Sequence, residues 1–204
     1  MFTKAEWYKS FIFNSIRLRR EWLSKTKFGF DIAPSNIDLA GAEIELKQLL
    51  ASEQVLKRKL EEVIESYDFI LLDCPPSLGM LTVNALTAAK EVFIPMAMED
   101  LALRGLEMLA KTITKIRAIT NPDLHYLGIL ATKYDRTTLN SKEMFEALTA
   151  AAQNAGIKLF NAYIPETVRF KESPRYKTPL IIEQPNHEGS QAYMTVVEDI
   201  IHGT

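Results

Sequence analysis

Glycine is scarce in this chain, and the few glycines present lie far apart. The 204 residues include eight glycines, and no two of them are nearer than 12 positions. A phosphate-binding loop needs closely spaced glycines, because consecutive backbone N–H groups must converge on phosphate oxygens, and it carries a lysine and a hydroxyl residue directly afterwards. The dinucleotide-binding fingerprint needs the same clustering. The sequence therefore contains neither kind of nucleotide loop.

Cysteine and histidine are scarce as well. Cys74 is the single cysteine, which excludes a disulfide within the chain. The three histidines, His125, His187 and His202, are isolated, so no Cys/His cluster has the spacing of a metal site. A single cysteine favours the reducing cytoplasm, and we expect a cytoplasmic protein.

Long apolar runs are also absent. No stretch of about 18 apolar residues exists, so no membrane span is predicted. Lys9, Asn14, Arg17 and Arg19 interrupt the apolar residues of the N-terminus, which therefore lacks the layout of a signal peptide. The net charge is −2, but residues 1–27 hold seven basic and two acidic side chains, which leaves −7 for the rest. We expect a soluble protein without stable membrane association.

Hydrophobic residues make up 47% of the chain, enough for a substantial core in one domain. Residues 5–24 are predicted to form a basic helix, followed by a short strand at Phe30–Ala33 and two helices at Ile37–Ala51 and Glu53–Tyr67. Phe69–Asp73 is a continuous apolar block that ends on a carboxylate. This pattern is typical of a strand buried on both faces of a parallel sheet.

Helices and strands are then predicted to alternate. The predicted helices are Leu81–Lys90, Leu101–Thr120, Ser141–Asn154 and Ser190–Ile201, and the predicted strands are Val92–Pro95, Tyr126–Ala131 and Lys158–Ile164. Such alternation indicates an α/β fold with a mostly parallel sheet and helices on both faces. Ligands bind beyond the carboxyl ends of such strands, so the loops beginning at Asp73, Pro95, Thr132 and Pro165 are the predicted functional segments.

Several segments of the chain occur together, and in this order, in one protein family. They are Pro34-Ser35-Asn36-Ile37-Asp38-Leu39-Ala40-Gly41-Ala42-Glu43, Asp73-Cys74-Pro75-Pro76-Ser77-Leu78-Gly79, Thr132-Lys133-Tyr134-Asp135, Pro165-Glu166-Thr167 and Glu172–Pro179. Over roughly residues 30–202 the chain resembles the ParA/Soj chromosome and plasmid partition ATPases, relatives of MinD. The resemblance implies a three-layer P-loop NTPase-like fold in a ParA-like domain over residues 30–204, preceded by a divergent basic helix in residues 1–29.

The resemblance assigns the metal side of an ATP site to the second of these segments. Asp73 corresponds to the Walker B aspartate, which holds Mg²⁺ through a water, as a carboxylate at the end of a buried strand can do. The second switch corresponds to Cys74, Pro75, Pro76, Ser77 and Gly79, a segment suited to respond to a γ-phosphate. The alternative is that Asp73 caps the following helix and that the prolines simply turn the chain.

The later segments correspond to the family's base and DNA sites. The adenine base would be enclosed by Thr132, Tyr134, Asp135, Pro165, Glu166 and Thr167, although Glu166 stands where the family commonly carries an arginine. Ordinary strand-to-helix turns are the alternative. Nonspecific DNA binding would use Arg169, Lys171, Arg175 and Lys177, a basic segment that can equally be a solvated loop. Lys177 stands where the family usually has a glycine.

The chain departs from the family before residue 30, where the first strand and the phosphate loop are expected. Without them little holds a triphosphate, and the strand ending at Asp73 is left with an unpaired edge. Three explanations remain: a truncated or decayed gene product, which we favour, a fragment completed by a partner chain, or a divergent protein whose N-terminal helix covers the gap.

The functional expectation follows from the family. An intact homologue binds ATP and Mg²⁺, forms a homodimer, coats nucleoid DNA and is stimulated by a ParB-type centromere-binding protein during plasmid or chromosome segregation. This chain is expected to be truncated and deficient in hydrolysis. The alternative is a noncatalytic interaction module that keeps dimer or partner surfaces without binding nucleotide. A MinD-like membrane cycle is disfavoured because the amphipathic helix lies at the N-terminus.

Overall fold

The computed structural model describes residues 23–33, 39–99 and 102–202. The strands in these ranges are β1 Ser24–Lys25, β2 Asp31–Ile32, β3 Glu91–Ala97 and β4 His125–Thr132. The helices are α1 Leu39–Leu46, α2 Val55–Leu60, α3 Met80–Ala88, α4 Ala102–Ile119, α5 Leu139–Ala155, α6 Val168–Tyr176, α7 Leu180–Glu183 and α8 Glu188–His202. None of these helices combines the length and the apolarity that crossing a membrane requires.

The chain forms two compact units. The first consists of Met1–Lys90 and Thr112–Leu124, and the second of Glu91–Lys111 and His125–Thr204. Parallel strands β3 and β4 form the sheet of the second unit, in a register that runs from Glu91 opposite His125 to Ala97 opposite Thr132. Since β3 continues through Ala97, Pro95 lies inside the strand, and the prediction that a loop begins there is wrong.

Helices cover both faces of strand β4 in the second unit. Ile129 and Ala131 lie in one buried cluster with Leu148 and Ala152 of α5, whereas Leu130, between them in sequence, packs with Val196 of α8. Neighbouring residues of a strand point to opposite faces, so this division places α5 and α8 on opposite sides. The α/β class with a parallel sheet and helices on both faces is confirmed.

The predicted strand Lys158–Ile164 is realised only in part. Its chain runs beside β4 and makes an isolated bridge between Ile129 and Leu159. The Phe160 N–H donates to the Ile129 carbonyl at 2.9 Å, and the Ile164 N–H donates to the Ala131 carbonyl at 2.9 Å. Four residues of this segment therefore advance beside two of β4, so the pairing is irregular and no continuous strand forms.

A short hairpin opens the described part of the first unit. Strands β1 and β2 are antiparallel, and the Gly29 N–H donates to the Thr26 carbonyl in the turn between them. The predicted strand at Phe30–Ala33 is thus present as β2. The predicted basic helix at residues 5–24 falls outside the described residues, except at its end, where Ser24 belongs to β1.

Asn84 of α3 holds the segments before it in place. Its side chain is buried, accepts from the Leu56 N–H at 3.0 Å, and donates to the carbonyls of Ser52 at 2.8 Å and Met80 at 3.0 Å. The predicted helix Glu53–Tyr67 is broken in the structure. Short 3-10 turns at Ser52–Gln54 and Ile64–Ser66 flank α2.

The predicted buried strand Phe69–Asp73 is wrong. These residues form no strand and enter no β-bridge with any described part of the chain. Phe69 is 66% exposed and Leu71 is 92% exposed. Backbone N–H and C=O groups favour a sheet only when a neighbouring strand pairs with them. The apolar block is therefore present, but the neighbours that would bury it are not among the described residues.

Candidate functional site

The segment Asp73–Gly79 leads from the exposed apolar block into α3 of the first unit. Asp73, Cys74, Pro75, Pro76 and Ser77 are all exposed, and Gly79 is partly buried. The Thr82 hydroxyl donates to the Ser77 carbonyl at 2.6 Å, which ties the segment to the first turn of the helix.

Glu43 fixes the other side of this junction. Its carboxylate accepts a hydrogen bond from the Met80 N–H at 2.6 Å, at the first residue of α3. The same carboxylate fills the space beside Gly79, where an added Cβ would overlap it. A negative group at a helix N-terminus is favourable, because the free N–H groups there carry partial positive charge. Glu43 thus supplies the cap that the alternative reading assigned to Asp73.

The role of Glu43 was missed from the sequence. It ends the Pro34–Glu43 segment, and Gly79 ends the next one, so both belong to the segments that carry the family resemblance. Residues 34–38 lie outside the described part of the chain. The 37 positions between Glu43 and Met80 hide this contact from any local pattern.

The surroundings of the Cys74 thiol change its pKa. Desolvation by the neighbouring chain raises the pKa of this thiol, and the negative charge of Asp73 raises it further. The Cys74 Sγ lies 3.6 Å from the Leu72 carbonyl oxygen. A raised pKa means less thiolate at neutral pH, which lowers the reactivity of Cys74.

Asp73 fits one part of a magnesium site. Within the described ranges, no group of three or more His, Cys, Asp or Glu side chains is arranged to hold a metal ion. Mg²⁺ in phosphate-transfer sites is commonly held by one or two carboxylates together with water and phosphate oxygens. A single exposed aspartate fits that arrangement, whereas the chain has no glycine-rich loop to hold the phosphates.

The two predicted base segments lie side by side in the second unit. The Tyr134 N–H donates to the Ile164 carbonyl at 3.1 Å, and the Glu166 N–H donates to the Tyr134 carbonyl at 3.2 Å. Tyr134 and Pro165 thus form a parallel bridge beyond β4. The structure brings together the residues Thr132, Tyr134, Asp135, Pro165, Glu166 and Thr167.

The side chains of this group already have other contacts. The Tyr134 ring packs against the rings of Tyr163 and Phe145, with centroids 4.7 Å and 5.3 Å away. The Asp135 carboxylate accepts from the Thr137 N–H at 2.8 Å and the Thr137 hydroxyl at 2.6 Å. These bonds hold the pKa of Asp135 below its usual range, with the hydroxyl as the larger cause. Pro165 lines a shallow cavity of about 310 Å³ together with Arg136 and Tyr163.

Exposed ion pairs surround the same segments. Lys133 Nζ lies 2.8 Å from Glu99 Oε1, and Lys171 Nζ lies 2.9 Å from Glu166 Oε1. The hydrogen bond that Lys133 donates to Glu99 raises the pKa of Lys133, the negative charge of Glu99 raises it as well, and the charge of Glu166 adds a smaller effect. Lys133 lies in a predicted base segment, whereas its partner Glu99 was not predicted from the sequence. Glu166 stands where the family commonly carries an arginine, and its carboxylate forms an ion pair with Lys171, five positions later.

The predicted DNA-binding residues lie on or just beyond a helix. This segment, for which a solvated loop was the alternative, contains helix α6. The Thr167 hydroxyl caps the first turn of α6 by accepting a hydrogen bond from the Arg169 N–H at 3.3 Å. Arg169 pairs with Glu172 at 3.2 Å. Arg175 and Lys177 are exposed, and no carboxylate of the described residues pairs with either. Among the described residues, two of the four basic side chains are therefore exposed without an ion-pair partner.

Comparison with known proteins identifies the family. A family model described as "AAA domain" matches residues 4–126. The match includes part of residues 1–29, and the domain boundary at residue 30 stays a prediction. The chain is 39% identical to the chromosome partitioning protein ParA of Caulobacter vibrioides over 175 residues, which are 85% of this chain and 64% of that protein.

A second sequence relative and a solved structure are also similar to the chain. The chain is 39% identical to the sporulation initiation inhibitor protein Soj of Bacillus subtilis, over 83% of this chain and 66% of Soj. It therefore spans slightly under two thirds of these two proteins. The structure of cobyrinic acid a,c-diamide synthase from Mycobacterium smegmatis with bound ADP and magnesium superposes with a TM-score of 0.77 at 33% identity, over 95% of this chain and 70% of that one. The chain belongs to the ParA/Soj-type family of P-loop ATPases.

Proposed function

We propose that this chain retains two parts of the family's nucleotide machinery, the metal-binding Asp73 in its first unit and the base-binding segments in its second unit, each taken by itself, and that it binds Mg-ATP weakly without hydrolysing it. The observation that carries the proposal is the junction at Gly79, where Glu43 and Met80 join two family segments that are far apart in sequence. This hydrogen bond holds the end of the Asp73–Gly79 segment against α1. The chromosome partitioning protein ParA, which shares 39% identity with the chain, supports partition as the cellular process.

The proposed contacts of each unit involve a different chemical group. Asp73 would hold Mg²⁺ through a water, and Cys74, Pro75, Pro76, Ser77 and Gly79 would form the switch that follows it. The base would lie against the backbone of Thr132–Asp135 and Pro165–Thr167, because the Tyr134 ring is already packed against Tyr163. When bound, Mg²⁺ would neutralise phosphate charge. Binding is expected to be weak, since the chain supplies no phosphate loop.

The remaining family properties are part of the same proposal. The chain would associate with nucleoid DNA in the cytoplasm through Arg175 and Lys177, aided by Arg169 and Lys171 once their carboxylate partners release them. The chain would also form a homodimer and bind a ParB-type centromere-binding protein.

Calorimetry with Mg-ATP tests the nucleotide part. We expect weak heat of binding that disappears in Asp73→Ala and persists in the matched control Asp68→Ala, an exposed aspartate five positions earlier. Alkylation of Cys74, the single cysteine, gives an independent readout. Mg-ATP should slow its modification in the unaltered chain, and the effect should be lost in Asp73→Ala.

The second candidate function is a noncatalytic interaction module. The contacts of Tyr134 and Asp135 favour it, because side chains expected at the base are engaged within the protein. A stable fold with neither heat of binding nor protection of Cys74 would support this module and contradict nucleotide binding. Binding of a ParB-type protein under the same conditions would identify the surface that the module retains.

A further inference from the structure

His187 lies directly before helix α8 and caps its N-terminus. The Gly189 N–H donates to His187 Nδ1 at 3.1 Å, and the Gln191 N–H donates to the carbonyl of His187 at 3.0 Å. The first N–H groups of a helix have no partner within it, so a side-chain acceptor at this position stabilises the first turn. Since Nδ1 accepts, the ring proton lies on Nε2, and this cap requires the neutral imidazole.

The ring of Phe170 connects this cap to helix α6. It packs edge-on against the ring of His187, with centroids 6.5 Å apart, and against the ring of Tyr193, with centroids 5.7 Å apart. It also lies so close to the backbone of Gly189 that an added Cβ would overlap the ring. The Phe170 side chain therefore packs on the same turn of α8 that His187 caps.

Phe170 fastens α6 to the core of the second unit. Its side chain is partly buried and packs against the buried cluster that contains Leu130 and Val196, whereas Val168 of the same helix is 64% exposed. Helix α6 has nine residues, and a helix of this length is only marginally stable without packing against other elements. The position and the stability of α6 therefore depend on the packing of Phe170.

The elements packed around His187 carry several titratable groups. They are Glu183 at the end of α7, Glu188 and Tyr193 in the first two turns of α8, and Arg169, Lys171, Glu172 and Arg175 on α6. No ion pair within the described ranges includes His187. Desolvation raises the pKa of Tyr193, which keeps its hydroxyl neutral. No described carboxylate therefore lies within ion-pair distance to compensate a positive charge on the His187 ring.

Protonation of His187 breaks this cap. A protonated imidazole carries hydrogens on both nitrogens, so Nδ1 can no longer accept the Gly189 N–H. The positive charge also lies at the positive end of the dipole of α8, a helix of 15 residues. Both effects destabilise the first turn of α8 and, through Gly189, the backbone on which the Phe170 ring packs. Histidine side chains ordinarily change charge between about pH 5 and pH 8.

We propose that neutral His187 is a positioning residue for α6: it holds the turn at Gly189 on which Phe170 packs, and acidification releases α6 from α8. The functional meaning of this release rests on the proposed function, because α6 carries the proposed DNA-binding residues. Fixing basic side chains in one arrangement beforehand lowers the entropy cost of binding. The neutral state of His187 is therefore the one prepared to bind DNA.

Hydrogen exchange at two pH values tests this contact, with protection factors that correct for the intrinsic pH dependence of exchange. In the unaltered chain, we expect protection of the amides in residues 172–176 and of Gln191 to fall about tenfold from about pH 7.5 to about pH 5.5. His187→Asn supplies an amide oxygen that can accept from the Gly189 N–H at either pH, and it should abolish this dependence. The matched control His125→Asn replaces an exposed histidine at the start of β4 and should retain it.

Phe170→Ala separates the two steps. Protection of residues 172–176 should be low at both pH values in this variant, whereas Gln191 should keep its pH dependence. Equal protection of residues 172–176 in this variant and in the unaltered chain at neutral pH would show that Phe170 does not hold the helix, and the proposal would fail.

Three further results would overturn the proposal. Protection of α6 in the unaltered chain could be the same at both pH values, or its pH dependence could persist in His187→Asn, which assigns it to another group. An equal loss of protection in α5 would attribute the change to unfolding of the whole chain. These measurements contain no DNA. The expected exchange in a chain that binds no DNA would contradict the proposed DNA site and leave the role of His187 intact.

Discussion

Glu43 and Gly79 are a matched pair of residues at the start of α3. The carboxylate can reach the Met80 N–H only because the residue before Met80 has no side chain. Gly79 has a φ of −85° and a ψ of −171°, which any residue adopts. Glycine is therefore required here by the close approach of the carboxylate and not by backbone conformation.

Gly79→Ala is expected to lower the free energy of unfolding by about 1 kcal/mol, because the methyl group displaces Glu43 and removes the cap. Glu43→Ala should cost a similar amount. In the Glu43→Ala background the same glycine substitution should be neutral, and urea unfolding of the four proteins measures the coupling. Additive effects of the two substitutions would contradict this account.

Lys177 is a second residue whose backbone bears on stability. Its φ is +49°, in the left-handed region, directly after α6. A residue with a Cβ is disfavoured in this conformation, and glycine is the usual choice after a helix. The left-handed turn is thus present although lysine stands at the family's glycine position.

Lys177→Gly is accordingly expected to raise the free energy of unfolding by about 1 kcal/mol. The matched control, Lys142→Gly in the first turns of α5, should have the opposite sign, because glycine weakens a helix interior. Thermal unfolding of both variants makes the comparison. Destabilisation by both substitutions would contradict the left-handed assignment at position 177.

Asp135 is a third residue that bears on stability, because its ionisation makes the free energy of unfolding depend on pH. Its folded-state pKa is depressed, so it stabilises the fold above its unfolded-state pKa and loses this contribution as the pH falls through the lower, folded value. Thr137→Val removes the hydroxyl donor, and the pKa of Asp135 should rise toward its ordinary value. NMR titration of the carboxyl measures the shift, and an unchanged pKa would show that the hydroxyl is not the main cause.

At the scale of the element, helices with a clear apolar stripe were predictable. The prediction Leu101–Thr120 corresponds to α4 at Ala102–Ile119, and Ser190–Ile201 corresponds to α8 at Glu188–His202. Helix α6 was not predicted, because Pro174 lies within it and its residues are mostly polar. Helices can be predicted from local sequence because their hydrogen bonds are local. The predicted strand Phe69–Asp73 required neighbouring strands, which no local pattern reveals.

Helix α6 also leads to a prediction about DNA. Arg175→Ala with Lys177→Ala should reduce the slope of log affinity against log salt by about 2, with similar losses for unrelated DNA sequences, because each phosphate contact contributes about 0.9. Glu172→Ala should strengthen binding, since it frees Arg169. Fluorescence anisotropy at several salt concentrations measures both, with Arg104→Ala and Lys115→Ala on α4 as the control pair. An unchanged slope in the α6 variant would remove these residues from the DNA site.

At the scale of the whole molecule, the chain has the α/β fold of its family but not the phosphate loop. Family resemblance and superposition on the Mycobacterium smegmatis structure both extend across most of the chain. The phosphate loop is nevertheless absent from all 204 residues. Phosphoryl transfer depends on positioned N–H groups, lysines and metal around the γ-phosphate, so a retained fold does not imply retained turnover.

We therefore expect no ATP hydrolysis above the level of Asp73→Ala when phosphate release is measured with Mg²⁺, with or without DNA. The comparison with that variant removes any contaminating ATPase from the result. Hydrolysis that depends on Asp73 would mean that other residues of the chain hold the phosphates, and it would overturn the proposed deficiency.

The sequence by itself determined the family, the α/β class, the absence of a phosphate loop and the positions of the periodic helices. These properties follow from residue identities and from spacings within a few turns of chain. Only the tertiary structure decided that Glu43 caps α3, that the Tyr134 ring packs against Tyr163, and that Phe69–Asp73 is exposed. The physical reason is that these properties depend on which distant residues come into contact, and a side chain's environment is set by those neighbours.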